Sequence, residues 1–390
     1  MPIDLDHAYD SLAAWCRERD YAGHDPFDAL NSRLFKATGF KRSRTARLAW
    51  TQFFKRSPVS VRHIAGVPGG SNPKGVALFA LAALSKFRRT RKKAEEAEAR
   101  LLLDKLLAAR IEGAGGSAWG YDFDWQGRAF FAPKGTPTIV PTAFAARALV
   151  EASRDLNENG YLRIARTTCD FIIHHLPRSE ETEREVCWSY SPLDRTRVFN
   201  ASLLAAETLA SVGALRGEKD LCELAVRGAR YVINRQRDDG SWAYGADSFQ
   251  TWSDNFHTAF VLTSLHRIMA AYPECREEFM ERTLRGYEFW RERFFLADGW
   301  PKYFHDRLYP ADAHSAGAAI VALADISEID NSALVLAHKI AAWAIENLRD
   351  QRGFFYYQRR RFYTVRTPYM RWSEAWMLYG LGRLLEAAGS

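Results

Sequence analysis

Five apolar segments open in the same way at an almost constant interval. They are "TAFAARALVEA" from Thr142, "NASLLAAETLA" from Asn200, "HTAFVLTSLHRI" from His257, "HSAGAAIVALADI" from His314 and "WSEAWMLYGLGRLL" from Trp372, at steps of 58, 57, 57 and 58 residues. A sixth, "NPKGVALFALAALSKF" from Asn72, stands off the regular spacing. All are rich in Ala, Leu and Val with few charges, the composition of helices buried on most sides. Between them lie segments such as "DLCELAVRGARYVINRQ" and "ALVLAHKIAAWAIENLRD", each with one apolar stripe and one charged face. That pattern fits helices with one side in water. A period of this length is one helical hairpin plus its loop. One hairpin cannot bury both its faces, whereas hairpins stacked around a ring can. The chain is therefore expected to be all-α, an (α/α)6 toroid of six inner and six outer helices. "SRTARLAWTQFFKR" (43–56) is the candidate sixth outer helix. Residues 1–60 are read as a helical segment completing the ring and 61–390 as the toroid repeats, in effect one domain.

The loops ahead of the inner helices are long and aromatic, for example "SAWGYDFDWQGRAFFAPKGTPTIVP" and "DDGSWAYGADSFQTWSDNF". Long loops in compact domains usually carry function, and a toroid gathers these at one mouth. Their aromatics, Trp119, Tyr121, Trp188, Tyr190, Trp242, Trp252, Trp300 and Tyr303, either fill helix interfaces or form stacking platforms for a sugar or an apolar ligand. His257 and His314 start consecutive inner helices at equivalent positions, with Thr142 and Asn200 in the same register. Asp254 precedes His257 by three residues and Asp312 precedes His314 by two. A carboxylate so placed either orients the imidazole for acid–base work or caps the helix. Asp122 and Asp124 in "YDFDW" are a possible carboxylate pair or a turn, and Glu374 lies just inside the last inner helix.

Two chemistries use this palette. Proton abstraction beside a uronate carboxylate needs a base, a proton donor and groups that neutralise the acid; His257, Tyr244, Asn255 and Arg371 supply them. Hydrolysis needs two opposed carboxylates, here Asp124 with Asp254 or Asp312. Asn200, Trp372 and Glu374 complete the expected substrate contacts. The His and Asp residues come from different repeats and lack HxH or HxxxH spacing, so no metal is expected, and no cofactor motif is present: "GVPGGSNPKG" lacks the GK[ST] ending of a phosphate loop.

The net charge is +7, with basic clusters in "KRSRTAR", "KFRRTRKK" and "RRR". These are solvated helix ends, or they point to an acidic or lipid-linked saccharide or an anionic membrane surface. Neither zinc-finger spacing nor an RNA-binding signature accompanies the charge, so nucleic acid is not expected as a partner. The acidic N-terminus lacks the basic and apolar regions of a secretory signal, and five scattered cysteines without a CxxC suggest free thiols. A cytoplasmic protein follows as the expectation, held by charge near the inner membrane.

One stretch carries a family resemblance. "RGARYVINRQRDDGSW" (227–242), with Tyr231-Val232, Gln236 and Gly240-x-Trp242, resembles the QW motif of class II terpene cyclase and prenyltransferase-β toroids. The repeat resemblance covers roughly 70–385. It implies a structural stitch in which Gln caps the next helix pair and Trp stacks on it. The chemistry of those relatives does not follow: the cyclase DxDD acid motif is reduced to "YDFDW", with Trp125 in place of the final Asp, and the zinc set of protein prenyltransferases has no match. "DGSWAYG", "DNFHTAF" and "YSPLDRTRVFNASLLAA" also resemble proteins of bacterial surface-polysaccharide clusters. Three functions stand at this point: an enzyme with lyase, epimerase or hydrolase chemistry on such a glycan, a terpene-cyclase-like enzyme on a polyprenyl substrate, and a non-catalytic binding partner of a glycosyltransferase.

Overall fold

The computed structural model describes residues 3–111, 113 and 115–389. In chain order its α-helices are α1 (Leu5–Arg17), α2 (Arg33–Ala37), α3 (Arg44–Arg56), α4 (Pro73–Thr90), α5 (Lys93–Ala108), α6 (Ile139–Asp155), α7 (Asn159–Asp170), α8 (Phe199–Arg216), α9 (Lys219–Ile233), α10 (Asn255–Ala271), α11 (Arg276–Phe294), α12 (Ala313–Ile326), α13 (Ser332–Leu348) and α14 (Ala375–Ala388). The even-numbered helices from α4 to α14 form the inner ring: each packs on the next, and α14 closes on α4. Their composition requires this position. Every residue of α12 is buried, and α8 buries all but its last turn and one flank. Small residues let the inner helices approach closely. A Cβ on Gly380 of α14 would lie 2.9 Å from the Gly317 carbonyl of α12.

The odd-numbered helices α5 to α13 form the outer layer and bury one stripe each; α11, for instance, buries Phe279, Thr283, Gly286, Tyr287, Phe289, Trp290 and Phe294. The sixth outer helix is α1, not 43–56. Tyr9 of α1 donates to the Ala82 carbonyl of α4, and α1 packs along α14. Both segments have an amphipathic stripe, but it is the stripe of α1 that lies against α14 and α4. Helix α3 lies instead over the ring within the connection 18–72. Its Arg47 donates to Gln126 Oε1 at 2.7 Å, and its Trp50 donates to the Ala29 carbonyl. That connection runs from an outer helix to the start of an inner one, as do the other five long loops. All six therefore meet at the inner-helix N-termini.

The 18–72 flap has its own small core of Ala29, Phe54, Ala65 and Val67. It is organised around the fully buried Arg62, which donates to Asp28 Oδ1 at 2.8 Å, the Asp25 carbonyl at 2.9 Å and the Phe54 carbonyl at 3.4 Å. Short antiparallel pairings stiffen the other loops: β1 (Trp125–Gln126) with β2 (Phe131–Ala132), β3 (Arg178–Glu181) with β4 (Val186–Trp188), and β5 (Ala311–Asp312) with β6 (Gln358–Arg359), which also pairs β7 (Thr364–Val365). At the other end of the ring, charged side chains near the inner-helix C-termini are laced together. Arg88 reaches Glu151, Asp155 and Glu386, Arg267 reaches Glu151 and Asp325, and Arg383 reaches Asp325 and Glu386. Among the described residues no helix is long and apolar enough to cross a membrane.

The segment read as a stitch behaves as one. Gln236 Nε2 donates to the Gly240 and Arg282 carbonyls, tying its turn to α11, and Trp242 Nε1 donates to the Val232 carbonyl of α9. The Trp242 ring packs where Gly286 of α11 has no side chain.

Candidate functional site

A cavity of about 150 Å³ opens among the inner-helix N-termini, beneath the mouth loops. Of the residues expected from sequence, Tyr121, Tyr190, Asn200, Tyr244, His257, Tyr303, His314, Arg371 and Trp372 line it. Phe256, Phe260 and the flap residue Phe27 add further aromatic wall, and Lys55 and Lys74 add cations. No Asp or Glu is among the lining residues.

The two histidines differ because of their spacing from the preceding Asp. Asp254 is the N-cap of α10: its Oδ1 accepts from the His257 backbone N–H at 3.1 Å, while Oδ2 accepts from His257 Nδ1 at 2.7 Å. The third residue after a cap comes back over it, so one carboxylate serves both the backbone and the ring. This sets the Nδ1–H tautomer and leaves Nε2 as the acceptor. Oδ2 also accepts from Trp252 Nε1 at 3.0 Å, and Trp252 stacks on Tyr244 with ring centroids 4.6 Å apart. Asp312 caps α12 through the Ser315 N–H at 2.9 Å, but His314, only two residues on, makes no hydrogen bond to it. The expected Asp312–His314 pair is therefore not formed. His314 is fully buried with neither ring nitrogen hydrogen-bonded to protein, and it stacks on Phe256 and Trp376. Burial, with Lys74, Arg371, His257 and Lys55 nearby, pushes its pKa well below the usual imidazole range, so the ring stays neutral.

The cations enclose the space. Arg371 gives Nε and Nη2 to Asp25 of the flap at 2.6 and 2.8 Å. Burial opposes its charge, but Asp25 more than offsets this and holds the guanidinium ionised. Lys74, in the first turn of α4, is 2 % exposed, and its Nζ makes no hydrogen bond or ion pair among the described residues. Its Nζ sits 4.8 Å from the Phe144 ring and 5.2 Å from those of Phe260 and Trp376. Burial first, and then Arg371, drive its pKa well below that of a free lysine. Lys55 of α3 lies 4.4 Å from the Phe27 ring and 5.5 Å from that of Trp372, and burial brings it down to about 8 against the pull of Asp312 and Asp25. Asn200 presents an unpartnered Oδ1, and the hydroxyls of Tyr121 and Tyr190 meet at 2.6 Å.

The other expected contacts lie elsewhere. Trp119, Trp188 and Trp242 are buried in the wall: Trp119 Nε1 is committed to the Leu106 carbonyl, and Trp188 and Trp242 fill the spaces over Gly228 and Gly286. Trp300 packs on Trp343 and Tyr309 and donates to the Leu308 carbonyl. Asn255 is fully buried between the Lys302 carbonyl and Trp290 Nε1. Asp122 takes a hydrogen bond from Asn72 Nδ2 at 2.5 Å, and burial raises its pKa. Asp124 accepts from the Lys134 N–H, completing a turn. Glu374 is fully buried and accepts from the Phe355 N–H; burial holds its carboxyl well above the usual range. Neither aspartate of "YDFDW" lines this cavity, and Asp254 and Asp312 do not line it either, so the expected pair of opposed carboxylates is not found on its wall. Lys55, Lys74 and Asp25 were not foreseen. Lys74 had one signal, a charge in the first turn of a helix that then carries no other until Lys86. Among the described residues no group of three or more His, Cys, Asp or Glu is arranged to hold a metal ion.

No family model matches the chain, and no curated protein matches its sequence. Solved structures do match its fold. A sugar epimerase from a ruminal bacterium superposes with a TM-score of 0.64 at 13 % identity, covering 83 % of this chain and 90 % of its own. Cellobiose 2-epimerase from Bacillus thermoamylovorans B4167 gives 0.62 at 12 %, over 80 % and 88 %. An unsaturated glucuronyl hydrolase specific for heparin gives 0.62 at 13 %, over 98 % and 97 %. The architecture is therefore that of an (α/α)6 toroid, and at these identities the likeness extends to the fold alone.

Proposed function

We propose that this toroid is a carbohydrate-active enzyme that moves a proton on an anionic saccharide, in the manner of an epimerase, isomerase or eliminase. The observation that carries the reading is the composition of the cavity wall: a histidine oriented by a buried carboxylate, a neutral histidine, two lysines, the ionised Arg371 and no lining carboxylate. Two-carboxylate hydrolysis and alkene protonation both need an acid that this lining lacks. The epimerases named above support a sugar as the substrate. A uronate or sugar phosphate fits the ionised Arg371 with Lys55 and Lys74 beside it, and surface-polysaccharide synthesis is a setting that supplies such sugars.

In this reading His257 Nε2 takes a proton from carbon beside a carbonyl or carboxyl group. Asp254 keeps the acceptor nitrogen facing the substrate and stabilises the imidazolium that forms. The cations neutralise the charge that develops on oxygen, in a space where the surrounding aromatic rings lower the local dielectric. His314, held neutral, or Tyr244 returns a proton from another side.

The test is solvent exchange. Uronates, uronate-containing oligosaccharides and sugar phosphates are incubated with enzyme in heavy water and read by proton NMR. Deuterium should enter at one sugar carbon with wild-type protein, and H257Q should abolish the exchange. Absence of exchange across the whole panel, or exchange that survives H257Q, would overturn the assignment.

A further inference from the structure

The net positive charge of this protein is not spread evenly. Between Asp28 and Glu95 the sequence holds sixteen Lys or Arg residues and no Asp or Glu, so the remainder is net acidic. Elsewhere on the ring most arginines are in ion pairs, as with Arg166, Arg197, Arg230 and Arg235. On the flap, Arg33, Lys36, Lys41, Arg42, Arg44, Arg47 and Arg56 form no ion pair among the described residues.

The same flap leaves large apolar side chains exposed. An open groove of about 660 Å³ runs between α2 and α3, lined by Leu34, Phe35, Phe40, Trp50 and Phe53. Phe40 is 67 % exposed, and Leu34 and Phe53 are each 56 % exposed. A second element joins this face. The hairpin between β6 and β7 carries "RRRFY" (359–363) at its tip, with Phe362 85 % exposed. Tyr363 Oη donates to the Arg56 carbonyl at the end of α3, which fixes the tip beside the flap. Large apolar side chains ringed by unpaired cations, without any acid, form a surface complementary to anionic headgroups over acyl chains. An acidic protein partner would satisfy the charges but would leave Phe362, standing apart at the hairpin tip, without a pocket.

We infer that the flap and the β6–β7 tip dock this protein on an anionic phospholipid bilayer. Phe40, Phe53 and Phe362 enter the headgroup boundary, and Lys36, Lys41, Arg42, Arg44, Arg360 and Arg361 meet the phosphates. Helix α3 then serves two faces at once. Phe53 lines the outer groove, while Lys55, two residues on, lines the cavity. Docking would bring the mouth against the bilayer, where a saccharide carried on a lipid is presented. Docking at this face requires no particular chemistry in the cavity.

The experiment is vesicle co-sedimentation of the full chain with phosphatidylcholine alone and with phosphatidylcholine–phosphatidylglycerol mixtures, across a salt series. Wild-type protein should sediment with the anionic vesicles only and be released by salt, because screening removes the charge term. F40E/F53E and, separately, K41E/R42E should each lower the partition coefficient roughly tenfold or more. Both should keep the wild-type melting temperature and the wild-type solvent exchange on water-soluble saccharides, which separates loss of docking from loss of the site. The inference is overturned if wild-type protein ignores anionic vesicles at low salt, or if both variants bind them as well as wild type. It is equally overturned if wild-type protein is a dimer in solution that F40E/F53E splits without any vesicle binding, since the face then belongs to a second copy.

Discussion

Replacing Asp254 with Asn isolates the one interaction that distinguishes His257 from an ordinary buried histidine. Asp254 accepts three hydrogen bonds: the His257 N–H at 3.1 Å, His257 Nδ1–H at 2.7 Å and Trp252 Nε1–H at 3.0 Å. Asn keeps an oxygen for the backbone cap, so α10 retains its start. The Oδ2 position becomes an amide nitrogen facing two donors. The imidazole can relieve its conflict by shifting its proton to Nε2, leaving Nδ1 to accept. Trp252 cannot, and its indole N–H loses its partner in a largely enclosed site, at a cost of about 1–3 kcal/mol. D254A removes the cap as well and should be less stable than D254N by about 1 kcal/mol. With Nε2 protonated, His257 has no lone pair to offer substrate, and proton abstraction should fall by roughly 10²–10⁴-fold. The tautomer can be read without substrate by long-range nitrogen–proton correlation on histidine-labelled protein, with H257Q identifying the resonance. Urea unfolding supplies the stability. An Nδ1–H signal that persists for His257 in D254N, or a D254N protein as stable as wild type, would refute the reasoning.

Further outcomes are expected. Arg147 and Glu207 form a buried bidentate pair at 2.8 and 2.6 Å, with Ser264 also donating to Glu207. R147A strands that carboxylate and should cost about 3–5 kcal/mol in urea unfolding, whereas R147M/E207L should lie much closer to wild type. A uronate should bind more weakly as pH rises through about 8, where Lys55 loses its proton. K55M should flatten that dependence in calorimetric titrations, and an unchanged profile would remove Lys55 from the anion site. Without ligand the sign reverses. The unfolded chain keeps the Lys55 proton up to about 10.5, so the contribution of this group to stability grows between about pH 8 and 10.5.

The ring was legible because its inner helices cannot exist outside one. A segment such as "HSAGAAIVALADI" has no polar face to offer water, and its recurrence leaves few other solutions. The outer layer was legible as a type but not in every member. Residues 43–56 and 5–17 are both amphipathic, and what separates them is the partner of each stripe, a long-range fact. At the site, the register of His257 and His314 on consecutive helices was readable, but their unequal pairing depends on helical geometry acting on a difference of one residue. The loop tryptophans misled because an aromatic looks the same whether it faces a ligand or a wall. Trp188 and Trp242 each sit over a glycine of an outer helix, Gly228 and Gly286. Such a glycine in an amphipathic helix marks a docking notch and would have identified both as stitches. Asp25 was invisible because nothing local ties it to Arg371.

That last pair sets an order of events. Asp25 and Arg371 are 346 residues apart, and the seam where α14 meets α1 and α4 joins the two ends of the ring. The cavity therefore has no local precursor: its flap carboxylate is made 346 residues ahead of its anchoring cation. A chain emerging from the ribosome can stack its hairpins in turn, but it holds no enclosed site until Arg371 has been added. Contacts of such separation come late and carry the largest loop-closure cost. A ligand that bridges the flap and the last inner helix would act as a clasp on the seam.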